Sequence, residues 1–260
     1  MLKIKNLAVA VGDKEILHDV SLTIRRGETH VLFGPNGSGK TTLLATIMGF
    51  PKYRVIRGSI SFKGKDITGL SLDERARFGI GMSFQRPPVV RGVETRDMVA
   101  ACLKEPESEE TINKLASRTN LADFLHREIN YGFSGGEIKR SEMMQLMAQK
   151  PELALLDEPE SGVDLENIAL IGKLINELLE KDCLIVNRKC MGLIITHTGH
   201  ILDYVNARTG YVMCDGVIGC EGDPHEILAV VREKGYEECI RCLMKRRGMM
   251  SRPEVNKEVP

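Results

Sequence analysis

One run of residues has the types and spacing that bind a polyphosphate: Gly34-Pro35-Asn36-Gly37-Ser38-Gly39-Lys40-Thr41-Thr42. In the pattern G-x-x-x-x-G-K-[ST], backbone N–H groups wrap the phosphates, the lysine reaches the β- and γ-phosphates, and the hydroxyl holds Mg²⁺. The glycines are needed because such a loop adopts backbone conformations that a Cβ would obstruct. The run predicts a site for ATP and Mg²⁺. The alternative, a glycine-rich turn without a ligand, is disfavoured by the sequence around it.

Apolar segments that predict buried strands position this run and two other groups of polar residues. The segment Val31-Leu32-Phe33 leads into the run, residues 153–156 lead into Asp157 and Glu158, and residues 192–196 lead into His197. Ligands of a parallel α/β sheet lie outside the carboxyl ends of its strands. We therefore expect the run, the two carboxylates and the histidine to share one edge of a sheet.

The two carboxylates suit two different tasks. Asp157, at the end of its strand, is placed to bind Mg²⁺ together with Thr41. Glu158 is the next residue and points elsewhere, which suits it to orient or polarise an attacking water. Paired acids after a strand otherwise form an ordinary solvated turn, and the phosphate-binding run favours the catalytic interpretation.

The rest of the chain predicts an α/β fold with two additions. Alternating residues over 2–11, 20–24 and 58–65 predict strands, the last of them antiparallel. Between about 87 and 151 the composition becomes helical, which predicts an inserted helical subdomain whose last helix runs from Glu137 to Lys150. Further helices are expected over 167–181, 226–234 and 236–246, and Asp215-Gly216 predicts a hairpin. We expect one domain over residues 1–250 and a loose tail over 251–260.

Composition excludes several classes of protein. The 260 residues carry 36 Lys plus Arg and 36 Asp plus Glu, so no net charge favours a nucleic-acid or anionic-membrane partner. No apolar run reaches the length of a membrane span. Lys3 and Lys5 place charges where a signal peptide would have its apolar segment. Seven scattered cysteines do not form a secreted disulfide framework. These features predict a soluble, cytoplasmic protein that does not bind nucleic acid.

A second glycine-containing motif, Phe133-Ser134-Gly135-Gly136-Glu137, precedes Asp157 in the chain. At a helix start it offers a hydroxyl, open backbone N–H groups and a positive dipole end, which together can clamp an anion. A plain helix N-cap explains Ser134 and Glu137 but not the two glycines. Over about residues 2–245 the chain resembles the ATP-binding-cassette ATPases, whose motif here is usually L-S-G-G-Q. The resemblance implies a P-loop NTPase cassette with a mixed core sheet, an antiparallel β subdomain and an inserted helical subdomain.

In that family the nucleotide is sandwiched between the phosphate loop of one subunit and the serine–glycine motif of the other. The resemblance therefore implies an ATP-dependent dimer with a second copy of the chain, closed around ATP and Mg²⁺ by Ser134, Gly135 and Gly136 of the partner copy. It also implies catalytic roles for Lys40, Glu158 and His197, with His197 contacting the γ-phosphate. Gln85 would be a catalytic and coupling residue and a Mg²⁺ ligand, and Asp164, in Ser161-Gly162-Val163-Asp164, would lie at the nucleotide.

Two classes of cassette ATPase fit a chain of this length: the detached nucleotide-binding subunit of a membrane transporter, and the SUF iron–sulfur assembly ATPases, the SufC family. The segment Phe133 to Arg140 resembles that family's F-S-G-G-E-x-K-R, and residues 83–88 resemble its glutamine loop. No aromatic residue stands near Val11, where transport cassettes usually stack adenine. This resemblance implies a soluble SufB/SufD-like scaffold as partner. Pro159-Glu160 and the insertion at 183–190 depart from the SUF pattern.

A third interpretation makes the cysteines ligands of an iron–sulfur cluster, so that the chain itself would be a scaffold. Cys239 and Cys242 form a C-x-x-C, but no second closely spaced pair stands nearby. On a helix these two positions share a face, which favours packing over metal binding.

Overall fold

The computed structural model describes residues 1–103 and 109–236. Three sequence predictions lie outside the described residues: most of the helix over 236–246, the pair Cys239 and Cys242, and the tail over 251–260. The predicted domain limits, with a helical insertion over about 87–151, stay a prediction.

Ten strands are present in the described residues: β1 (Leu2–Val11), β2 (Lys14–Ile24), β3 (Thr29–Phe33), β4 (Arg54–Phe62), β5 (Lys65–Asp66), β6 (Ile80–Ser83), β7 (Leu153–Asp157), β8 (Met191–Ile195), β9 (Thr209–Cys214) and β10 (Val217–Gly222). The α-helices in the same ranges are α1 (Lys40–Met48), α2 (Leu72–Arg77), α3 (Thr95–Cys102), α4 (Glu109–Arg118), α5 (Gly135–Gln149), α6 (Leu165–Leu178) and α7 (Pro224–Lys234).

The core is a six-stranded sheet in the order β10-β9-β3-β8-β7-β6. Strands β9, β3, β8, β7 and β6 run parallel, and β10 closes the edge antiparallel to β9. Every residue of β3, β7 and β8 is buried. Such strands read as continuous apolar runs because both faces of the sheet are covered. The predicted core strands are confirmed, and they place the phosphate-binding run, Asp157 and His197 at one edge.

A separate antiparallel sheet, in the order β2-β1-β4-β5, covers one face of this core. Its inner side chains join those of α1 in one cluster with Leu32, Leu155 and Leu193 of the core sheet. The predicted strand over 20–24 is longer than expected, because β2 begins at Lys14. Alternation was hidden there by register shifts in the pairing with β1 and by the positive φ of 59° at Asp19.

Helices α3, α4 and α5 lie in the chain between β6 and β7, as predicted for the helical insertion. They pack with α6 on the other face of the core sheet, in a second cluster that contains Val99, Leu115, Met143 and Ile171. The predicted helix starts at 137, 167 and 226 each lie two residues after the observed ones. Helix α5 begins at Gly135 and α6 at Leu165, because Ser134 and Asp164 cap them.

Residues 180–190 form a loop between α6 and β8 at the amino ends of the parallel strands. Within the residues that the structure describes, no helix is both long enough and apolar enough to cross a membrane.

Candidate functional site

The phosphate-binding run forms the loop from the end of β3 to the first turn of α1. A Cβ at Gly34 would stand 2.2 Å from the carbonyl oxygen of Met213 in β9, and Gly39 caps α1 with a φ of 104°. The expectation that glycines here occupy conformations closed to other residues is confirmed at both positions. The loop leads directly into the N-terminus of α1. Unpaired N–H groups and the helix dipole favour an anion there.

The hairpin between β9 and β10 supports the same loop from behind. Gly216 donates its N–H to the carbonyl of Ser38 at 2.9 Å and accepts from the N–H of His18 at 2.8 Å. A Cβ at Gly216 would lie 2.0 Å from the carbonyl oxygen of Ile16. The sequence indicated Asp215-Gly216 only as a turn. The structure makes it a link between the phosphate-binding loop and β2.

Lys40 is buried inside the loop it follows. Its Nζ donates to the carbonyl oxygens of Gly34 at 2.8 Å and Pro35 at 2.9 Å. Burial lowers the pKa of Lys40, and the nearby carboxylates of Glu158 and Asp157 oppose that shift. The ammonium group is therefore held at the loop's own carbonyls, beside the two acids that follow β7.

Asp157 lies at the end of β7 and accepts a hydrogen bond from the Thr41 side chain. Its Oδ1 atom is buried without a hydrogen-bond partner. Burial raises the pKa of Asp157, and the charge of Glu158 adds to that effect. A buried carboxylate oxygen beside a hydroxyl fits Mg²⁺, which takes one or two protein ligands and completes its shell with phosphate and water oxygens. Within the described residues no group of three or more His, Cys, Asp or Glu forms a metal cluster.

Glu158 joins the two other side chains predicted to be catalytic. Gln85 Nε2 donates to Glu158 Oε2 at 2.7 Å, and His197 Nε2 lies 2.5 Å from Glu158 Oε1. Glu158 has a φ of 49°, which turns it away from the direction of Asp157. His197 also hydrogen bonds to the backbone of Gly34. The carboxylate is thus held between the Gln85 loop and the histidine that contacts the phosphate-binding loop.

The environment of His197 favours its neutral form. Burial lowers the pKa of His197, the positive charge of Lys40 lowers it further, and Glu158 opposes both effects. The hydrogen bonds to Glu158 and to the backbone of Gly34 both act to raise this pKa, without reversing the net shift.

Glu160 is a buried residue of the site that sequence reasoning missed. Its Oε1 accepts from the hydroxyls of Thr196 and Thr198, the latter at 3.3 Å, and Thr196 Oγ1 in turn accepts from the N–H of Gly199 at 2.8 Å. Burial raises the pKa of Glu160. These bonds fix the residues on both sides of His197. The sequence marked Pro159-Glu160 only as a departure, since no pattern signals that an acid after a strand will be buried.

The serine–glycine motif caps α5. Ser134 N donates to Glu137 Oε2 at 2.7 Å, and Glu137 N donates to Ser134 Oγ at 3.4 Å, which is a capping box. A Cβ at Gly135 would lie 2.2 Å from the carbonyl oxygen of Gly162, and one at Gly136 would lie 2.8 Å from the side chain of Asn167. Close packing within this chain therefore accounts for the two glycines that a plain cap left unexplained.

Asp164 caps the neighbouring helix. Asn167 donates its N–H to Asp164 Oδ1 at 2.9 Å and its side-chain amide to Asp164 Oδ2 at 2.8 Å. The starts of α5 and α6 thus pack directly against each other. The contacts of Ser134 to Gly136 are with this junction rather than with the phosphate-binding loop.

An apolar groove of about 270 Å³ lies beside Gln85, between the loop after β6 and the helices α3 and α5. We call it the α3–α5 groove. Its apolar lining comes from the residues Phe50, Phe84, Pro87, Val90, Met98 and Leu146, and Glu142 of α5 also lines it.

Comparison with known proteins gives one consistent likeness. Residues 17–161 match the family model described as ABC transporter. A probable ATP-dependent transporter named ycf16, from Cyanidium caldarium, is 40% identical over 251 residues, which cover 91% of this chain and 95% of that protein. The probable ATP-dependent transporter SufC of Escherichia coli strain K12 is 38% identical over 249 residues, covering 91% and 97%. A probable ABC transporter ATP-binding protein of Streptococcus pyogenes serotype M18 is 38% identical over 247 residues, covering 91% and 93%.

Solved structures agree with these relatives. A nucleotide-free ATP-binding cassette from an ABC transporter matches with a TM-score of 0.75 at 26% identity, covering 92% of this chain and 98% of that one. The ADP conformation of a cassette of an ABC transporter matches with a TM-score of 0.73 at 26% identity, covering 94% and 98%.

Proposed function

The chain is an ATP hydrolase of the ATP-binding-cassette family, and from that premise we propose that it drives a conformational change in a soluble scaffold for iron–sulfur cluster assembly. The observation that carries the ATPase site is the contact of Glu158 with both Gln85 and His197, beside the loop that holds Lys40. In this proposal Glu158 orients the attacking water and His197 contacts the γ-phosphate.

Substrate binding in this proposal uses the loop from Gly34 to Thr42. Its N–H groups and Lys40 take the β- and γ-phosphates of ATP, as expected for this loop pattern. Thr41, Asp157 and Gln85 would hold Mg²⁺, which would neutralise charge on the transferred phosphoryl group. The unpartnered Asp157 Oδ1 supports this assignment.

Dimerisation completes the site. The phosphate-binding loop and the serine–glycine motif of one chain are proposed to be halves of two different sites, each closed by a second copy of the chain. A two-fold arrangement closes both sites at once. Ser134, Gly135 and Gly136 of the second copy contact the nucleotide in this arrangement, and Asp164 positions the start of α6 beside them.

Two observations favour a soluble scaffold as the partner. The SufC relative is 38% identical over nearly the whole chain, and the segment Phe133 to Arg140 has the sequence expected of that family. The α3–α5 groove beside Gln85 has the apolar lining that a partner segment needs, and Gln85 would couple its occupancy to the nucleotide. A second candidate is the detached cytoplasmic ATPase subunit of a transporter, favoured by the relatives named as ABC transporter ATP-binding proteins.

Replacing Glu158 by Gln tests the ATPase site. We expect Glu158→Gln to keep its affinity for ATP and to lose turnover by about 100-fold or more, because the water is no longer oriented. The variant should elute as a dimer with ATP and Mg²⁺ and as a monomer with ADP. Glu233→Gln, on the exposed face of α7, is the matched control and should behave as wild type. Rapid ATP hydrolysis by Glu158→Gln would contradict the role of Glu158 in orienting the attacking water.

Affinity capture of the Glu158→Gln chain from native cells, with and without ATP, separates the two partner classes. ATP-sensitive recovery of a soluble, β-rich protein that accepts an iron–sulfur cluster supports the scaffold. Recovery of a polytopic membrane protein overturns it in favour of the transporter. Substituting Met98 by Asp in the α3–α5 groove should abolish the capture while leaving ATP-dependent dimerisation intact.

A further inference from the structure

Two charged side chains of α5 are buried where the loop that carries Gln85 leaves the core sheet. The side chains of Lys139 and Glu142 are 3% and 6% exposed, and Lys139 Nζ lies 3.5 Å from Glu142 Oε2. Charged side chains are seldom buried to this degree unless specific partners compensate the loss of water. The closer contacts of both residues are with the backbone of Phe84 and Gln85 rather than with each other.

Where β6 ends, the side chains of Lys139 and Glu142 replace β7 as the hydrogen-bond partners of the backbone. Ser83, the last residue of β6, still pairs with Leu156 of β7. At the next residue, Phe84 N donates to Glu142 Oε1 at 2.6 Å, and the carbonyl oxygen of Phe84 accepts from Lys139 Nζ at 2.5 Å. Lys139 Nζ also reaches the carbonyl oxygen of Gln85, at 3.2 Å. The N–H and carbonyl groups of Phe84 and the carbonyl group of Gln85 are therefore held by α5.

The side chain of Gln85 starts from this held backbone and reaches Glu158, with Nε2 donating to Oε2 at 2.7 Å. We propose that Lys139 and Glu142 are positioning residues, which hold the Phe84–Gln85 backbone so that Gln85 engages Glu158. The inference rests on the proposed function in that Glu158 must orient the attacking water.

The position of the pair on α5 gives the contact a second consequence. Lys139 stands about one helical turn after Gly136, so the pair joins the Gln85 loop to the helix whose first turn carries the serine–glycine motif. Glu142 also lines the α3–α5 groove together with Phe84. Movement of α5, or a segment entering the groove, therefore reaches Gln85 through these two side chains.

Helix stability alone does not account for this arrangement. A buried ion pair loses about as much by desolvation as it gains, and apolar residues of similar size often replace such pairs without cost. Here the two side chains satisfy one N–H and two carbonyl groups of a segment that has left its sheet. Removal of the side chain of Lys139 or Glu142 should therefore displace Gln85 more than it destabilises the core.

The test is a double-mutant cycle on ATP hydrolysis by the full chain without any partner, using Lys139→Met and Gln85→Ala. Arg140→Met is the matched control, because Arg140 donates to the carbonyl oxygens of Asn120 at 2.8 Å and Thr119 at 3.1 Å, away from Gln85. We expect Lys139→Met to lower kcat about tenfold, the size of effect expected for lost hydrogen bonds to a charged group, with KM for ATP changed less than about twofold.

In the Gln85→Ala background, Lys139→Met should cause little further loss of kcat, whereas Arg140→Met should leave kcat near wild type in both backgrounds. Additive losses from Lys139→Met and Gln85→Ala would overturn the inference, since Lys139 would then act independently of Gln85. A slow Glu158→Gln variant together with such additivity leaves the proposed ATPase site standing while this inference fails. A fast Glu158→Gln variant would remove both.

Glu142→Gln provides the second variant if Lys139→Met folds poorly. Its isosteric amide keeps the helix packed but replaces the carboxylate that faces Lys139 and Phe84. Hydrogen exchange at the Phe84 amide should speed up in Glu142→Gln and stay unchanged in Arg140→Met. Unchanged exchange in Glu142→Gln, with kcat also unchanged, would contradict the positioning role.

Discussion

The backbone of Gly162 comes so close to Gly135 that a Cβ at Gly135 would stand 2.2 Å from the Gly162 carbonyl oxygen. Real Cβ atoms do not approach an oxygen this closely. The first turn of α5 and the turn that precedes α6 therefore pack against each other through backbone atoms. Any residue other than glycine at position 135 must push these two helix starts apart.

Gly135→Ala should therefore reduce both stability and ATP-dependent dimer formation. We expect a loss of about 1–3 kcal/mol in the free energy of unfolding, typical of inserting an atom into a packed interior. Urea unfolding measures the first effect, and light scattering with ATP on the Glu158→Gln background measures the second. Gly69→Ala is the control, because a Cβ there meets nothing within 4 Å. Equal behaviour of the two alanine variants would contradict the packing argument.

Lys40→Met should weaken ATP binding without unfolding the protein. The ammonium group is the buried cation of the loop, so its loss removes charge-assisted hydrogen bonds to phosphate and lowers ATP affinity by about 10- to 100-fold. Titration with a fluorescent ATP analogue provides the measurement. Lys52→Met, at an exposed position after α1, should leave the affinity unchanged. Wild-type affinity in Lys40→Met would exclude Lys40 as a phosphate ligand.

Asp157→Asn should remove the dependence of ATP affinity on Mg²⁺. In wild type we expect ATP to bind more tightly with Mg²⁺ than with EDTA, because the buried Asp157 Oδ1 and the Thr41 hydroxyl are suited to hold the ion. In Asp157→Asn the two affinities should converge. Binding isotherms with and without EDTA test this, with exposed Asp203→Asn as control. A persistent Mg²⁺ effect in Asp157→Asn would place the ion elsewhere.

The contribution of Glu142 to the free energy of unfolding should decrease as the pH rises. Burial raises the pKa of Glu142 from 4.5 to about 7, so between these values the folded chain holds a proton that the unfolded chain has released. The stabilising contribution is complete below about pH 4.5 and is lost as the pH rises through about 7. Relative to Glu142→Gln, wild type should lose up to about 3 kcal/mol over this range. Urea unfolding from pH 5 to 8 measures it, and parallel curves for the two proteins would contradict the shift.

The sequence predicted the strands that carry the site, and the sheet edge at which it lies, because each depends on a local pattern. Apolar runs predicted β3, β7 and β8, and the residues that follow them meet at one edge as expected. Helix starts were less accurate, since Ser134 and Asp164 begin α5 and α6 earlier than the apolar stripe does. Caps form outside the periodic part of a helix.

Features that depend on contacts between distant segments could not be read from the sequence. Glu160 is buried by threonines that follow another strand, and Gly135 is constrained by a carbonyl group of a different helix start. Lys139 was visible only as part of a resemblance to the SufC family, although its contacts are with Phe84 and Gln85. Neither composition nor periodicity encodes which side chain will meet which backbone group.

Glu158 reaches Gln85 and His197 from a left-handed backbone conformation, with a φ of 49°. For a residue other than glycine such a conformation costs on the order of 1 kcal/mol or more. Selection for heat resistance alone would favour glycine or asparagine at this position. An engineering programme that screens this chain only by melting temperature would therefore tend to enrich inactive variants, and its libraries should hold position 158 fixed.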